Sequence, residues 1–131
     1  MIVDSSIIVA ILRGEPEAEQ FGAAIAADAE PAISAGNYLE ASIVIDKDRD
    51  AILSAQLDAL LNELEIEIAP VTATQAKLAR QAYRDFGKNS GHPAKLNYGD
   101  CFAYALAMER GEALLYKGDD FAHAGLARAV S

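Results

Sequence analysis

The sequence predicts an α/β fold in which a parallel sheet is covered by helices on both faces. Short apolar runs at 1–3, 32–34, 66–68 and 113–116 alternate with longer stretches of helical spacing, the pattern of strands joined by right-handed helical crossovers. The 131 residues, 52% hydrophobic, suit one compact domain spanning 1–131. No linker or fixed-period repeat divides the chain, and about a fifth of it is alanine, which favours close helix packing.

Met1–Val3 reads as a buried strand that stops at Asp4. Ile7 to Leu12 follows as a short apolar helix, closed by Arg13-Gly14. Glu15-Pro16 opens a second helix running to about Ala27, with proline in its first turn. Ala32–Ser34 is the second strand and Asn37 to Ile45 the next helix. From Arg49 to Glu65, leucines at 53, 57, 60, 61 and 64 recur at helical spacing. Ile66–Ile68 alternates as a strand that Pro70 ends, and Thr74 to Phe86 returns to helical spacing before Gly87. The stretch 87–97, with two glycines and a proline, is a loop. Tyr98 to Arg110 is apolar on most sides, hence a buried helix stopped by Gly111. Ala113–Tyr116 is the last clear strand, and Lys117–Asp120 a turn.

The 20 acids outnumber the 11 bases, and the net charge of -9 argues against holding nucleic acid through an overall positive field. The apolar content excludes a disordered chain. The start carries no basic, apolar leader, and the longest apolar run, 101–108, is far short of a membrane span, so a cytoplasmic protein without membrane association is expected. One cysteine, Cys101, excludes an internal disulfide and a multi-cysteine zinc site; within an apolar run it reads as core.

Parallel strands bring their carboxyl ends to one edge, where such sheets bind ligands. Four acids sit where that edge forms: Asp4 after the first strand, Glu40 early in the helix after the second, Asp100 at the entrance of the buried helix, and Asp119 after the last strand. Converging carboxylates repel unless a cation lies between them, and magnesium, a hard ion that takes oxygen ligands, is the natural occupant, with manganese next. Each acid also has a plainer reading. Asp4 suits an N-cap, Asp100 a first-turn acid favoured by the helix dipole, Asp119 and Asp120 a turn, and Glu40 a solvent-facing side chain.

Four segments, MIVDSSIIVAIL, SAGNYLEASIVID, LNYGDCFAYALA and ALLYKGDDFAHAGL, resemble PIN domains, and more narrowly the VapC-type toxins of type II toxin–antitoxin pairs. The likeness runs from the first residue to about Leu126. It implies a three-layer α/β/α fold with a short central parallel sheet of four to five strands; the stretch 126–131 departs from the family's usual ending, leaving the last strand weak or missing. It also implies a magnesium-dependent endoribonuclease neutralised by a cognate antitoxin, commonly a homodimer. The family's acidic motif falls on Asp4, Glu40, Asp100 and Asp119 as catalytic residues, with Asp4 and Asp100 as metal ligands. The fourth acid is Asp119, directly after the glycine, or its neighbour Asp120. Ser6 matches the small hydroxyl of the opening motif and Asn37 a polar position at the pocket edge, both candidate RNA contacts.

The bases gather away from the acids. Lys77, Arg80, Arg84, Lys88 and Lys95 lie within one helix and the loop after it, and Arg80, Arg84 and Lys88 fall four apart, a stripe on one face if the helix reaches that far. The stripe reads either as a solvated face or as a rail for RNA phosphates beside the acidic pocket, with Tyr83 and Tyr98 available for base stacking. Three rivals stand beside the nuclease. A haloacid-dehalogenase-type phosphatase needs an aspartate where Ser6 stands. A receiver-like phospho-acceptor needs an acid beside Asp4, where Ser5 stands, although Lys117 suits its strand-end lysine. The third is a catalytically inactive PIN-like binding domain.

Overall fold

The computed structural model describes residues 1–118 and 120–126. Four parallel strands form one sheet among these residues: β1 (Ile2–Val3), β2 (Ala32–Ser34), β3 (Glu67–Ala69) and β4 (Leu114–Leu115), in the order β3-β2-β1-β4. Helices fill every connection: α1 (Ser5–Leu12) and α2 (Ala18–Ala27) after β1, then α3 (Ala35–Asp46) and α4 (Ala51–Glu63) after β2. α5 (Ala73–Phe86) and α6 (Tyr98–Arg110) lead to β4, and a short α7 (Asp120–His123) follows it.

Alternation along each short strand sends neighbouring side chains to opposite faces. Ile2, Ala32 and Leu114 join one core with Ala82, Cys101, Ala103 and Leu106 of α5 and α6. Val3, Ile33 and Leu115 join the other, with Ile7 and Ile8 of α1, Phe21 and Ile25 of α2, and Leu57 and Leu61 of α4. These are the three layers the sequence predicts. Ile2, Ile33 and Leu114 have no exposed surface, and each such burial is worth about 1.5–3 kcal/mol.

Caps set most helix bounds. Asp50 caps α4, Thr72 caps α5, and Gly111 ends α6 in the left-handed conformation at φ 63°, which suits glycine best. One helix start departs clearly from expectation. α2 begins two residues beyond Pro16, its cap position filled by Glu17, whose side chain makes no capping bond. α5 ends at Phe86 as expected, which leaves Lys88 off the helix, in the loop that a Gly87–Leu96 bridge pins. Asp120, expected in a turn, opens α7. Asp119, and the stretch where a fifth strand would fall, lie outside the described residues. No helix among the described residues is long and apolar enough to cross a membrane.

Candidate active site

β1 runs directly into α1 through Asp4. Its backbone N–H donates to the Leu115 carbonyl at 3.0 Å, tying this turn to the end of β4. Its side chain caps α1: Oδ2 accepts from the Ser6 N–H at 3.1 Å and from Ser6 Oγ at 2.6 Å. Asp4 is only 4% exposed, and its Oδ1 is buried with no hydrogen-bond donor among the described residues. Burial pushes the Asp4 carboxyl above its ordinary pKa, the charge of Glu40 adds to that push, and the bonds from Ser6 oppose it.

Glu40 approaches from the other side. β2 passes into α3 through Ser34, whose hydroxyl accepts from the Gly36 N–H at 3.2 Å. One turn later Asn37 and Glu40 share a face of α3, three residues apart. Asn37 Nδ2 donates to Glu40 Oε1 at 3.2 Å and to the Gly99 carbonyl at 2.9 Å. Ser5 Oγ donates to the same Glu40 oxygen at 2.5 Å. A β-carbon on Gly99 would fall inside the Glu40 carboxylate, so the carboxylate keeps this position only while residue 99 is glycine.

Gly99 immediately precedes Asp100, which places the third acid next to Glu40's anchor. α6 opens with a capping box: Asn97 Oδ1 accepts from the Asp100 N–H at 2.9 Å, and Asp100 Oδ2 accepts from the Asn97 N–H at 3.0 Å. From β4, the Lys117 N–H donates to Ser6 Oγ at 3.4 Å, bringing the fourth strand's exit against the first acid's partner. The Lys117 ammonium pairs with Glu15 at 2.6 Å and Glu17 at 3.5 Å. Ser5, Ser6, Glu15, Glu40 and Lys117 line a cavity of about 300 Å³.

Asp4, Ser6 and Glu40 therefore meet at the carboxyl edge of the sheet, Asp100 follows the Gly99 that packs on Glu40, and Asp119 lies outside the described residues. Asn37 departs from expectation. It has no exposed surface, and its amide supports Glu40 from beneath instead of facing RNA. The basic stripe is split as well: Arg84 is exposed on α5, whereas Arg80 and Lys88 line a groove of about 640 Å³ with Tyr83, Asn97 and Tyr98. Phe86 packs on His92 and Tyr104 and is not available for stacking. Reading the chain by motif missed Ser5 and Gly99. Ser5 had one signal, a second hydroxyl beside a helix cap, whereas Gly99's need for a bare α-carbon arises from a contact with distant Glu40.

The donors suit a hard cation. They are all oxygen, and Asp4 Oδ1 is a buried carboxylate oxygen that no group among the described residues satisfies. Among the described residues no three acids, histidines or cysteines form a ready chelating set.

Comparison with known proteins agrees with this architecture. The PIN domain family matches residues 1–126. Ribonuclease VapC28 of Mycobacterium tuberculosis (strain ATCC 25618 / H37Rv) is 53% identical, over 99% of this chain and 98% of its own. Ribonuclease VapC42 of the same strain is 44% identical over the whole of both chains. In solved structures, the fold resembles that of M. tuberculosis VapC20, a sarcin–ricin loop cleaving toxin, with a TM-score of 0.71 at 18% identity over 96% of this chain and 95% of that one. It also resembles a toxin–antitoxin complex from Klebsiella pneumoniae, with a TM-score of 0.70 at 20% identity over 92% and 89%. With its acids at the sheet edge and its likeness to these relatives running end to end, the chain belongs to the PIN-domain family and, within it, to the VapC ribonucleases.

Proposed function

We propose that this ribonuclease is the toxin of a toxin–antitoxin pair and hydrolyses RNA phosphodiesters at the acidic pocket with magnesium, or manganese in its place. The observation that carries the reading is the buried, unsatisfied Oδ1 of Asp4, beside a Glu40 carboxylate tethered through Oε1. Asp4 and Asp100 would hold the ion. When bound there, a divalent cation lowers the pKa of a water and offsets charge on the phosphoryl oxygens. Ser6 keeps Asp4 oriented by donating to Oδ2, which leaves Oδ1 for the ion. Glu40, held by two donors on Oε1 and packed through Oε2 against Gly99, would accept a proton from the attacking water. Asp119 is the proposed fourth acid.

The RNA would run from the pocket along the groove of Arg80 and Lys88, with Tyr98 exposed for stacking. A cognate antitoxin would set a cation, best an arginine, over the same acids. Exposed Leu39 and Ile43, one turn apart on α3, support a homodimer. Incubating the purified protein with defined RNAs tests the reading. Discrete cleavage with magnesium, abolished by EDTA and by a coexpressed cognate antitoxin, is expected; cleavage unaffected by EDTA contradicts it.

A further inference from the structure

Two consecutive serines open α1, and each donates to a different acid. Ser6 bonds Asp4, its own cap, while Ser5 reaches Glu40, 35 residues away on α3. Successive helical side chains diverge by about 100°, so one turn of α1 can hold two like-charged carboxylates apart. Ser5 is half-buried and lines the cavity, as Glu40 does. Glu40 Oε1 takes the Ser5 hydroxyl at 2.5 Å and the Asn37 amide at 3.2 Å, while Gly99 closes the space beside its carboxylate.

We propose that Ser5 is a positioning residue for Glu40: its hydroxyl, with Asn37 on the same Oε1 and Gly99 against Oε2, fixes how the carboxylate is presented to the reacting water. The proposal rests on the role given to Glu40 above. Asn37 alone leaves the carboxylate free to turn about its terminal torsion, which is broad and roughly two-fold. A second donor, from a different helix, fixes that torsion. Ser5 thereby also links α1 to α3 across the pocket, so the first and second acids are set relative to each other before any ligand arrives. Such outer partners typically carry a 10–100-fold effect on activity.

The test is a double-mutant cycle on the full chain, using Ser5→Ala, Glu40→Gln and both together. Melting of the metal-free proteins reads the bond without activity, with Glu40→Ala, which removes the acceptor, in place of Glu40→Gln. Ser5→Ala lowers the melting temperature by about 2–5 °C in the parent and leaves the Glu40→Ala protein unchanged. In cleavage, Ser5→Ala lowers kcat about 10–100-fold with KM for RNA unchanged, and adds nothing to Glu40→Gln. Ser5→Thr, which keeps the hydroxyl, recovers most of kcat. Additive melting effects, or a Ser5→Ala enzyme with full kcat beside an inactive Glu40→Gln, overturn the role of Ser5 alone. Full activity in Glu40→Gln overturns the underlying assignment of Glu40, and the role of Ser5 falls with it.

Discussion

The Glu40 carboxylate occupies the space that a side chain on Gly99 would need. That contact joins α3 to the first turn of α6 and sets the second acid beside the third. Gly99→Ala is therefore expected to push Glu40 off its anchor and lower cleavage about 10–100-fold, though alanine ordinarily favours a helix. Gly22→Ala is the control. Its β-carbon would meet nothing within 4 Å inside α2, so it should stabilise by about 0.5–1 kcal/mol and leave cleavage unchanged. Melting curves and rates on both variants check the pair; a fully active Gly99→Ala enzyme would contradict the geometry.

Asp4 should make the metal-free protein sensitive to pH. Its carboxyl titrates above its ordinary pKa because burial, and then Glu40, disfavour the charge. A raised folded value means that the associated stability is complete below the unfolded pKa and is lost as pH rises through the folded one. The melting temperature of Asp4→Asn minus that of the parent, in EDTA, should grow from about pH 4 to about pH 8. Magnesium should shrink the difference at the upper end. A difference that stays flat with pH would count against the burial account.

Arg80 and Lys88 share a groove, and reversing both should weaken RNA binding. On single strands each phosphate contact contributes roughly 0.7 to the slope of log affinity against log salt. Arg80→Glu with Lys88→Glu is expected to flatten that slope by at least about 1.4, measured by fluorescence anisotropy. Arg84→Glu, outside the groove lining, should change it less. Equal effects would indicate a diffuse basic face.

Cys101 should be inert. Burial foremost, and then the charge of Asp100, push its thiol up to about 11. At about pH 8 the folded protein should alkylate on the order of 100-fold more slowly than the denatured chain. Mass spectrometry of iodoacetamide-treated samples reads this, and rapid native labelling would mean that the thiol is exposed.

Much of the fold was legible because its signals are local. Asn97 and Gly111 mark both ends of α6, and the apolar start before Asp4 and the alternation at 66–68 place strands within a residue or two. α2 escaped a local rule: Pro16 precedes the helix by two residues instead of opening it. At the site, Asp4, Glu40 and Asp100 stood out as acids beside apolar elements. Their supports did not. Asn37 meets the Gly99 carbonyl across 62 residues and Ser5 meets Glu40 across 35, separations no sequence window spans. Asn37 reads as a pocket-edge group in the chain, yet packing buries it beneath the acid it serves.

The proposed chemistry stands on Asp4 and Asp100 sharing one cation. Calorimetric titration of the purified protein with manganese, alongside Asp4→Asn and Asp100→Asn, reads that sharing. Saturable binding in the parent, lost in either variant together with at least about 100-fold of cleavage and with the fold retained, is the expected result. Undiminished manganese binding in both variants would contradict it.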